Sequence, residues 1–254
     1  MADETDRQCA IAIIPARYES TRFPGKPIMR ETGKFLIEHV YGRACEARLV
    51  SRVVVATDDA RIFDAVQSFG GEVVMTRVDH PNGTSRLAEA VELIDGEYSL
   101  IVNVQGDEPE IDPADIDTAV SILMNDDEAD VATLASFFEA QEVVGDPNIV
   151  KVVTDVAGRA LYFSRSVIPY SRNKNLQSVL YYKHVGLYVY RRMFLCEYVQ
   201  WPPTPLEKAE QLEQLRILEH GRRIAVGVID HSTPPGIDTP EQYAEFVRRW
   251  KRNH

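Results

Sequence analysis

Cysteine is scarce in this chain. Cys9, Cys45 and Cys196 are far apart, and none has the C-x-x-C partner that zinc or thiol redox chemistry would use. They read as reduced thiols of a cytoplasmic protein. Positive charge is also short: Lys and Arg number 28 against 39 Asp and Glu, a formal net charge of -11. No basic run or aromatic-basic ladder offsets that balance, so a nucleic-acid partner is not expected. No stretch approaches the roughly 18 apolar residues of a membrane span, and Met1 to Gln8 is polar and acidic, without the apolar core of a signal peptide. Membrane insertion and secretion are therefore disfavoured.

Two familiar nucleotide loops are missing as well. A Walker A loop needs Gly five residues before Gly25 and Ser or Thr after Lys26, where Ser20 and Pro27 stand, and there is no G-x-G-x-x-G. These gaps exclude a P-loop ATPase and disfavour a dinucleotide enzyme. No Ser-His-Asp arrangement or reactive cysteine is recognisable, which argues against a covalent enzyme intermediate.

What is present is a chain of 254 residues, 44% of them hydrophobic, enough for a large core. Short apolar runs at Ala10 to Ile14, Val53 to Ala56, Glu72 to Met75 and Leu100 to Val104 read as buried strands. Between them Phe35 to Ala47, Ala60 to Phe69 and Ser85 to Ile94 carry helical spacing, giving successive βα units and a mainly parallel, doubly wound α/β sheet. After about residue 128 the rhythm changes. Asp130 to Phe137, Val150 to Thr154, Ala160 to Phe163 and Lys183 to Tyr190 read as strands, with a hairpin turn at Asp155 to Gly158, and form a β-rich insertion at about 130–205. Leu206 to His220 is expected as one amphipathic helix, Arg223 to Ile229 as a late strand and Glu241 to Arg252 as a closing helix after the Thr239-Pro240 start signal. The expectation is one domain with an insertion.

Ligands of such sheets sit beyond the carboxyl ends of the strands. Pro15 to Pro27, after the first strand, gathers Arg17, Arg22 and Lys26 with small residues in an otherwise acidic protein. It suits a polyphosphate, and suits equally a solvated basic loop whose prolines fix turns. Gln105-Gly106-Asp107-Glu108-Pro109, after the fourth strand, offers close backbone approach at Gly106 and a hard oxygen ligand at Asp107, or simply an Asp-Gly turn. Asp238, in the proline-rich loop before the last helix, is either a second metal carboxylate or capping chemistry.

These loops, in this order, resemble the 3-deoxy-manno-octulosonate (Kdo) cytidylyltransferases. The likeness runs from about Ile11 to Glu241 and includes Ile14 to Pro27, Thr76-Arg77, His80, Gly83-Thr84, Asn103 to Pro109, Lys151 to Val153, Tyr162 to Arg165, His184, Leu206 and Glu213 to Arg216. The resemblance implies a Rossmann-like nucleotidyltransferase fold that transfers CMP from CTP to Kdo for lipopolysaccharide synthesis, with magnesium. It implies Arg17, Ser20 and Lys26 as triphosphate contacts, Gln105 as a cytosine contact, and Asp107 and Asp238 as metal ligands. Arg77, Arg165, His184, Tyr188, Glu213 and Gln214 match the family's sugar pocket. Taken alone, His184 and Tyr188 fit one strand face of a core and Glu213 a solvated helix carboxylate. Ser85 departs from the pattern, which has an acidic residue there. A homodimer joined through the insertion is also implied. The rival expectations are the same chemistry on 8-amino-Kdo or sialic acid, and a non-catalytic nucleotide or sugar sensor.

Overall fold

The computed structural model describes residues 10–19, 22–139, 141–172 and 179–253. By their internal contacts the residues fall into two compact units, Met1–Asp117 with Pro234–His254, and Thr118–Thr233.

In the first unit a parallel sheet is built from β1 (Ala10–Ala16), β2 (Val50–Thr57), β3 (Val73–Met75) and β4 (Leu100–Asn103). β1 pairs with β2 on one side and β4 on the other, and β2 pairs with β3, giving the order β3-β2-β1-β4. The apolar run of β1 is buried at six of its seven positions, as a parallel strand covered on both faces requires. Burying Ile11, Ile13 and Ile14 contributes about 1.5–3 kcal/mol per side chain. The chain proceeds from β1 outward to β3, then returns to add β4 on the opposite side of β1. The crevice at that reversal, beyond the strand ends, is where a ligand is expected.

Helices α1 (Leu36–Cys45), α2 (Ala60–Ser68) and α3 (Gly83–Leu93) lie between the strands in sequence. Side-chain oxygens start two of them: Asp59 Oδ1 accepts from the Arg61 amide at 2.9 Å, and Asn82 Oδ1 from the Ser85 amide at 2.9 Å. Helix α4 (Pro113–Asn125) begins in this unit and ends in the second.

The second unit contains β5 (Val131–Phe137), β6 (Lys151–Thr154), β7 (Ala160–Ser164), β8 (Tyr182–Arg191) and β9 (Ile224–Ile229). β5 runs antiparallel to β8 and parallel to β9, and β6 is antiparallel to both β7 and β8. The β6–β7 turn is held by Asp155 Oδ1, which accepts from the Ala157 and Arg159 amides at 2.8 and 2.9 Å, with Gly158 at φ 79.

The expected helix over Leu206 to His220 is instead two short ones, α6 (Pro205–Glu210) and α7 (Gln214–Glu219), preceded by α5 (Arg192–Tyr198). The break falls at Gln211, at φ 54. There Arg165 Nε takes the Glu210 carbonyl at 2.7 Å and its Nη2 the Gln211 carbonyl at 3.3 Å. A guanidinium thus satisfies carbonyls that a continuing helix would have bonded to its next turn.

The closing helix, α8 (Pro240–Asn253), returns to the first unit. Its Tyr243, Phe246 and Val247 pack in one buried cluster with Phe23, Leu36 and Ile237. That cluster ties the Pro15–Pro27 loop to the Asp238 loop.

Candidate active site

The segments after β1 and β4 enclose a cleft of about 240 Å³ lined by Arg17, Lys26, Gly83, Gln105, Gly106 and Asp107, among others. The geometry of the first loop follows from its small residues. Gly25, at φ 73, donates its amide to the Tyr18 carbonyl at 2.9 Å and opens a 3₁₀ turn over Lys26–Ile28, with Pro27 buried inside it. Gly106 permits the close approach of the second loop: a Cβ there would stand 2.8 Å from the Pro15 carbonyl oxygen.

Lys26 is the centre of the arrangement. Its Nζ donates to Asp107 Oδ2 at 2.9 Å and to the Ile237 carbonyl at 2.6 Å, and lies 3.6 Å from Asp238 Oδ1. The Ile237 amide in turn donates to the Asp107 carbonyl at 2.8 Å, so the two carboxylate-bearing loops are sewn together by backbone. Side-chain exposures of 12% for Lys26, 32% for Asp107 and 41% for Asp238 leave a dry ammonium under two wetter carboxylates. Arg22 adds a second cation, 3.1 Å from Asp238 Oδ2. Gln242 Oε1 accepts from the amides of Asp238 and Thr239 at 2.7 and 3.0 Å, fixing the loop before α8.

The sequence alone left Asp238 between metal ligation and capping; in the structure its backbone is capped by Gln242 while its carboxylate faces Lys26. Two carboxylates converging on one small cation are also a donor set that fits magnesium. Among the described residues there is no group of three or more His, Cys, Asp or Glu placed to hold a metal, so any ion here would draw its remaining ligands from substrate or water. Arg17 reaches the cleft from the end of β1 and donates to the carbonyls of His80 and of Asn82, the latter at 3.2 Å. Ser20, the remaining expected triphosphate contact, lies outside the described residues.

Of the expected sugar contacts, Arg77 belongs to the first unit and the other five to the second. Arg77 is well exposed, with its Nε 3.3 Å from Glu89 Oε1. His184 and Tyr188 share a face of β8, their rings 5.3 Å apart, and His184 Nε2 is 3.0 Å from Thr133 Oγ1. Burial pushes the His184 imidazole down to about 3, so it serves as a neutral hydrogen-bonding group. Burial first, then the neighbouring Tyr198 and Glu213, raise the Tyr188 phenol, which stays protonated. Arg165 donates to the carbonyls of Pro147, Glu210 and Gln211, and its amide to Glu210 Oε2 at 2.9 Å. Glu213 accepts the Tyr198 hydroxyl on its carbonyl at 2.9 Å, and Gln214, buried, begins α7.

The cytidylyltransferase family model matches residues 11–224. A 3-deoxy-manno-octulosonate cytidylyltransferase of Geobacter sulfurreducens is 52% identical over 249 residues, covering 94% of this chain and 98% of that protein. This chain belongs to that family. A solved CMP:2-keto-3-deoxy-manno-octonic acid synthetase complexed with CTP is 44% identical, with a TM-score of 0.91 over 97% of this chain and 100% of the other. A 4-diphosphocytidyl-2C-methyl-D-erythritol synthase from Anaerococcus prevotii, 14% identical with a TM-score of 0.63 over 97% of each chain, shares the fold alone. The α/β, mostly parallel Rossmann-like nucleotidyltransferase architecture expected from the sequence is therefore the one observed.

Within this cytidylyltransferase, three features escaped the sequence reading. Glu108, beside Asp107, has its carboxyl raised to about 8 by burial, with Asp107 and Asp115 adding to the effect. Lys151, fully buried, donates to the carbonyls of Asp146, Ile149 and Arg165 at 3.0, 2.7 and 2.5 Å, so it braces the residue that itself splits α6 from α7. Arg86, also fully buried, pairs with Asp58 at 2.6 Å and bonds Thr76, fixing the segments that leave β2 and β3. Lys151 to the Arg165 carbonyl, 14 residues apart, and Arg86 to Asp58, 28 apart, span too much sequence to be read from spacing.

Proposed function

We propose that this cytidylyltransferase transfers the cytidylyl group of CTP to the anomeric hydroxyl of Kdo, forming CMP-Kdo and releasing pyrophosphate. The observation that carries the reading is Lys26, held between Asp107 and Asp238 at the end of a cleft walled by Arg17 and Gln105. The identity of about half with 3-deoxy-manno-octulosonate cytidylyltransferases over nearly the whole chain makes Kdo the acceptor. Such a product suits lipopolysaccharide assembly, from a cytoplasmic enzyme.

Catalysis in this scheme is positioning plus electrostatics. Gln105 presents an amide with both a donor and an acceptor, as reading the edge of cytosine requires. Arg17, Ser20 and Lys26 hold the triphosphate, and Lys26 meets the charge that grows on the α-phosphoryl oxygens as the sugar oxygen adds and pyrophosphate leaves. Two of its three hydrogens are held by Asp107 Oδ2 and the Ile237 carbonyl, which orients the ammonium and leaves the third for a phosphoryl oxygen. Magnesium, held by Asp107 and Asp238, would act as a Lewis acid on the phosphate oxygens and the attacking hydroxyl.

For the acceptor, the second unit offers Arg165 as positive charge for the sugar carboxylate, and the neutral imidazole of His184, with Tyr188, Glu213 and Gln214, as hydrogen-bonding groups for hydroxyls. The low proton affinity of His184 favours a polyol contact over an ion pair. We further propose one nucleotidyltransferase domain in which the β-rich stretch at about 130–205 provides a homodimer face. Phe137, Tyr170 and Leu180, exposed at 41%, 80% and 68%, support that placement.

The test is a substrate panel. Purified protein with magnesium and CTP is given Kdo, 8-amino-Kdo or sialic acid, and pyrophosphate and the mass of the sugar nucleotide are followed. CMP-Kdo as the preferred product supports the reading. Preference for either other sugar overturns the acceptor assignment, and CTP binding with no product from any of them overturns the transferase reading.

A further inference from the structure

Glu89 takes no part in the chemistry above, yet three groups on the segment leading to the cleft close on its carboxylate. Oε2 bonds His80 Nε2 and accepts the Arg77 amide at 3.0 Å, and Oε1 faces Arg77 Nε at 3.3 Å. His80 is itself buried, and its Nδ1 lies 3.2 Å from Ser85 Oγ, which also contacts the Asn82 carbonyl at 3.0 Å. The backbone that these contacts pin is the one Arg17 uses, since the guanidinium donates to the His80 and Asn82 carbonyls.

We propose that Glu89 is a positioning residue for the triphosphate: by clamping His80 it fixes the two carbonyls that aim Arg17 into the cleft. The inference rests on the nucleotidyl-transfer reading of the site. Its physical basis is preorganisation. A free arginine side chain has considerable rotamer entropy to lose, and two rigid carbonyl acceptors remove part of that loss before the nucleotide arrives. Both carbonyls precede α3, Asn82 in extended backbone at φ -149, and the fixed point beneath them is the His80 ring locked to a helix that packs against β1. Ser85 Oγ contacts only the Nδ1 side of the ring, so the Glu89 carboxylate one turn on is the anionic partner of the imidazole. Glu89→Gln keeps the shape and removes the charge.

A double-mutant cycle separates positioning from mere support of α3. CTP affinity is measured by titration calorimetry for the wild type, Glu89→Gln, Arg17→Ala and the pair. Loss of a charge-assisted contact predicts about 10-fold weaker CTP binding for Glu89→Gln, with KM for CTP rising alongside. In the Arg17→Ala background the same change should alter affinity less than about twofold, because the residue it acts through is gone. Should Glu89→Gln fail to fold, Glu89→Asp, which keeps the charge but shortens the reach, enters the same cycle. Wild-type affinity in the single variant, or an equal additive loss in both backgrounds, overturns the proposal while leaving nucleotidyl transfer intact. A wild-type protein that binds no CTP overturns the transferase reading and this proposal with it.

Discussion

Replacing Lys26 by Met should separate catalysis from stability more sharply than any other single change. The substitution keeps an unbranched side chain of similar length and removes only the ammonium, which bonds Asp107 Oδ2 at 2.9 Å and the Ile237 carbonyl at 2.6 Å. On the stability side, Asp107 and Asp238 are about a third or more exposed, so water can solvate the carboxylates left behind. An ion pair this wet is worth about 1 kcal/mol or less. For a chain of this size that corresponds to a Tm lower by roughly 2–4 °C. On the catalytic side, losing one preorganised donor aimed at developing phosphoryl charge should lower kcat by on the order of 10²–10³. Initial rates of pyrophosphate release at saturating CTP and sugar, set beside a thermal melt of the same preparation, measure both. A variant that keeps kcat within about fivefold of wild type, against the 10²–10³ expected, would refute the role given to Lys26. A large loss of Tm would refute the claim that the ammonium is chiefly catalytic.

Three further outcomes follow from particular contacts. Asp107→Asn should shift the magnesium dependence of the rate to much higher concentration, and an unchanged titration would contradict its assignment as a ligand. Glu108 binds its proton more tightly in the folded chain than in the unfolded one, with a folded value of about 8, so its contribution lowers stability as pH rises through the window from about 4.5 to 8. Allowing for its partial exposure, Glu108→Gln should therefore stabilise the protein at pH 8 by on the order of 2 kcal/mol and leave it unchanged near pH 4; urea melts at both pH values measure the difference. Gln211 holds φ 54 at the α6–α7 break, and Gln211→Gly should raise stability by about 0.5–1 kcal/mol if relief of left-handed strain outweighs the extra entropy of the unfolded glycine. A lower Tm would show that the Gln211 side chain, whose Nε2 donates to the Lys208 carbonyl at 2.8 Å, matters more.

How much was legible in the sequence depended on the range of the forces involved. β1 and β4 are continuous apolar runs followed at once by glycine- and proline-bearing loops, so both the strands and the cleft at their ends could be read locally. The β6–β7 turn was equally legible, because Asp155 and Gly158 carry the turn chemistry themselves. Helix α4 was missed although its signals are local: Asp112 Oδ1 caps the Ala114 amide at 3.0 Å, and Ile116, Ala119, Val120 and Leu123 are buried at helical spacing. The break at Gln211 was invisible because an arginine from 46 residues earlier in the chain imposes it. Likewise, Asp107 and Asp238 look like two unremarkable turn aspartates until the fold brings both to Lys26. The His80–Glu89 pair needs the path of the loop over α3 before its geometry can be seen.

Positional labelling reaches the central claim most directly. CTP carrying phosphorus-32 at the α-position is incubated with the protein, magnesium and Kdo, and the labelled products are separated. The account predicts label in a sugar nucleotide of the mass of CMP-Kdo, formed in equal amount to unlabelled pyrophosphate and only when the sugar is present. Label appearing in free CMP at the same rate with or without Kdo would contradict it.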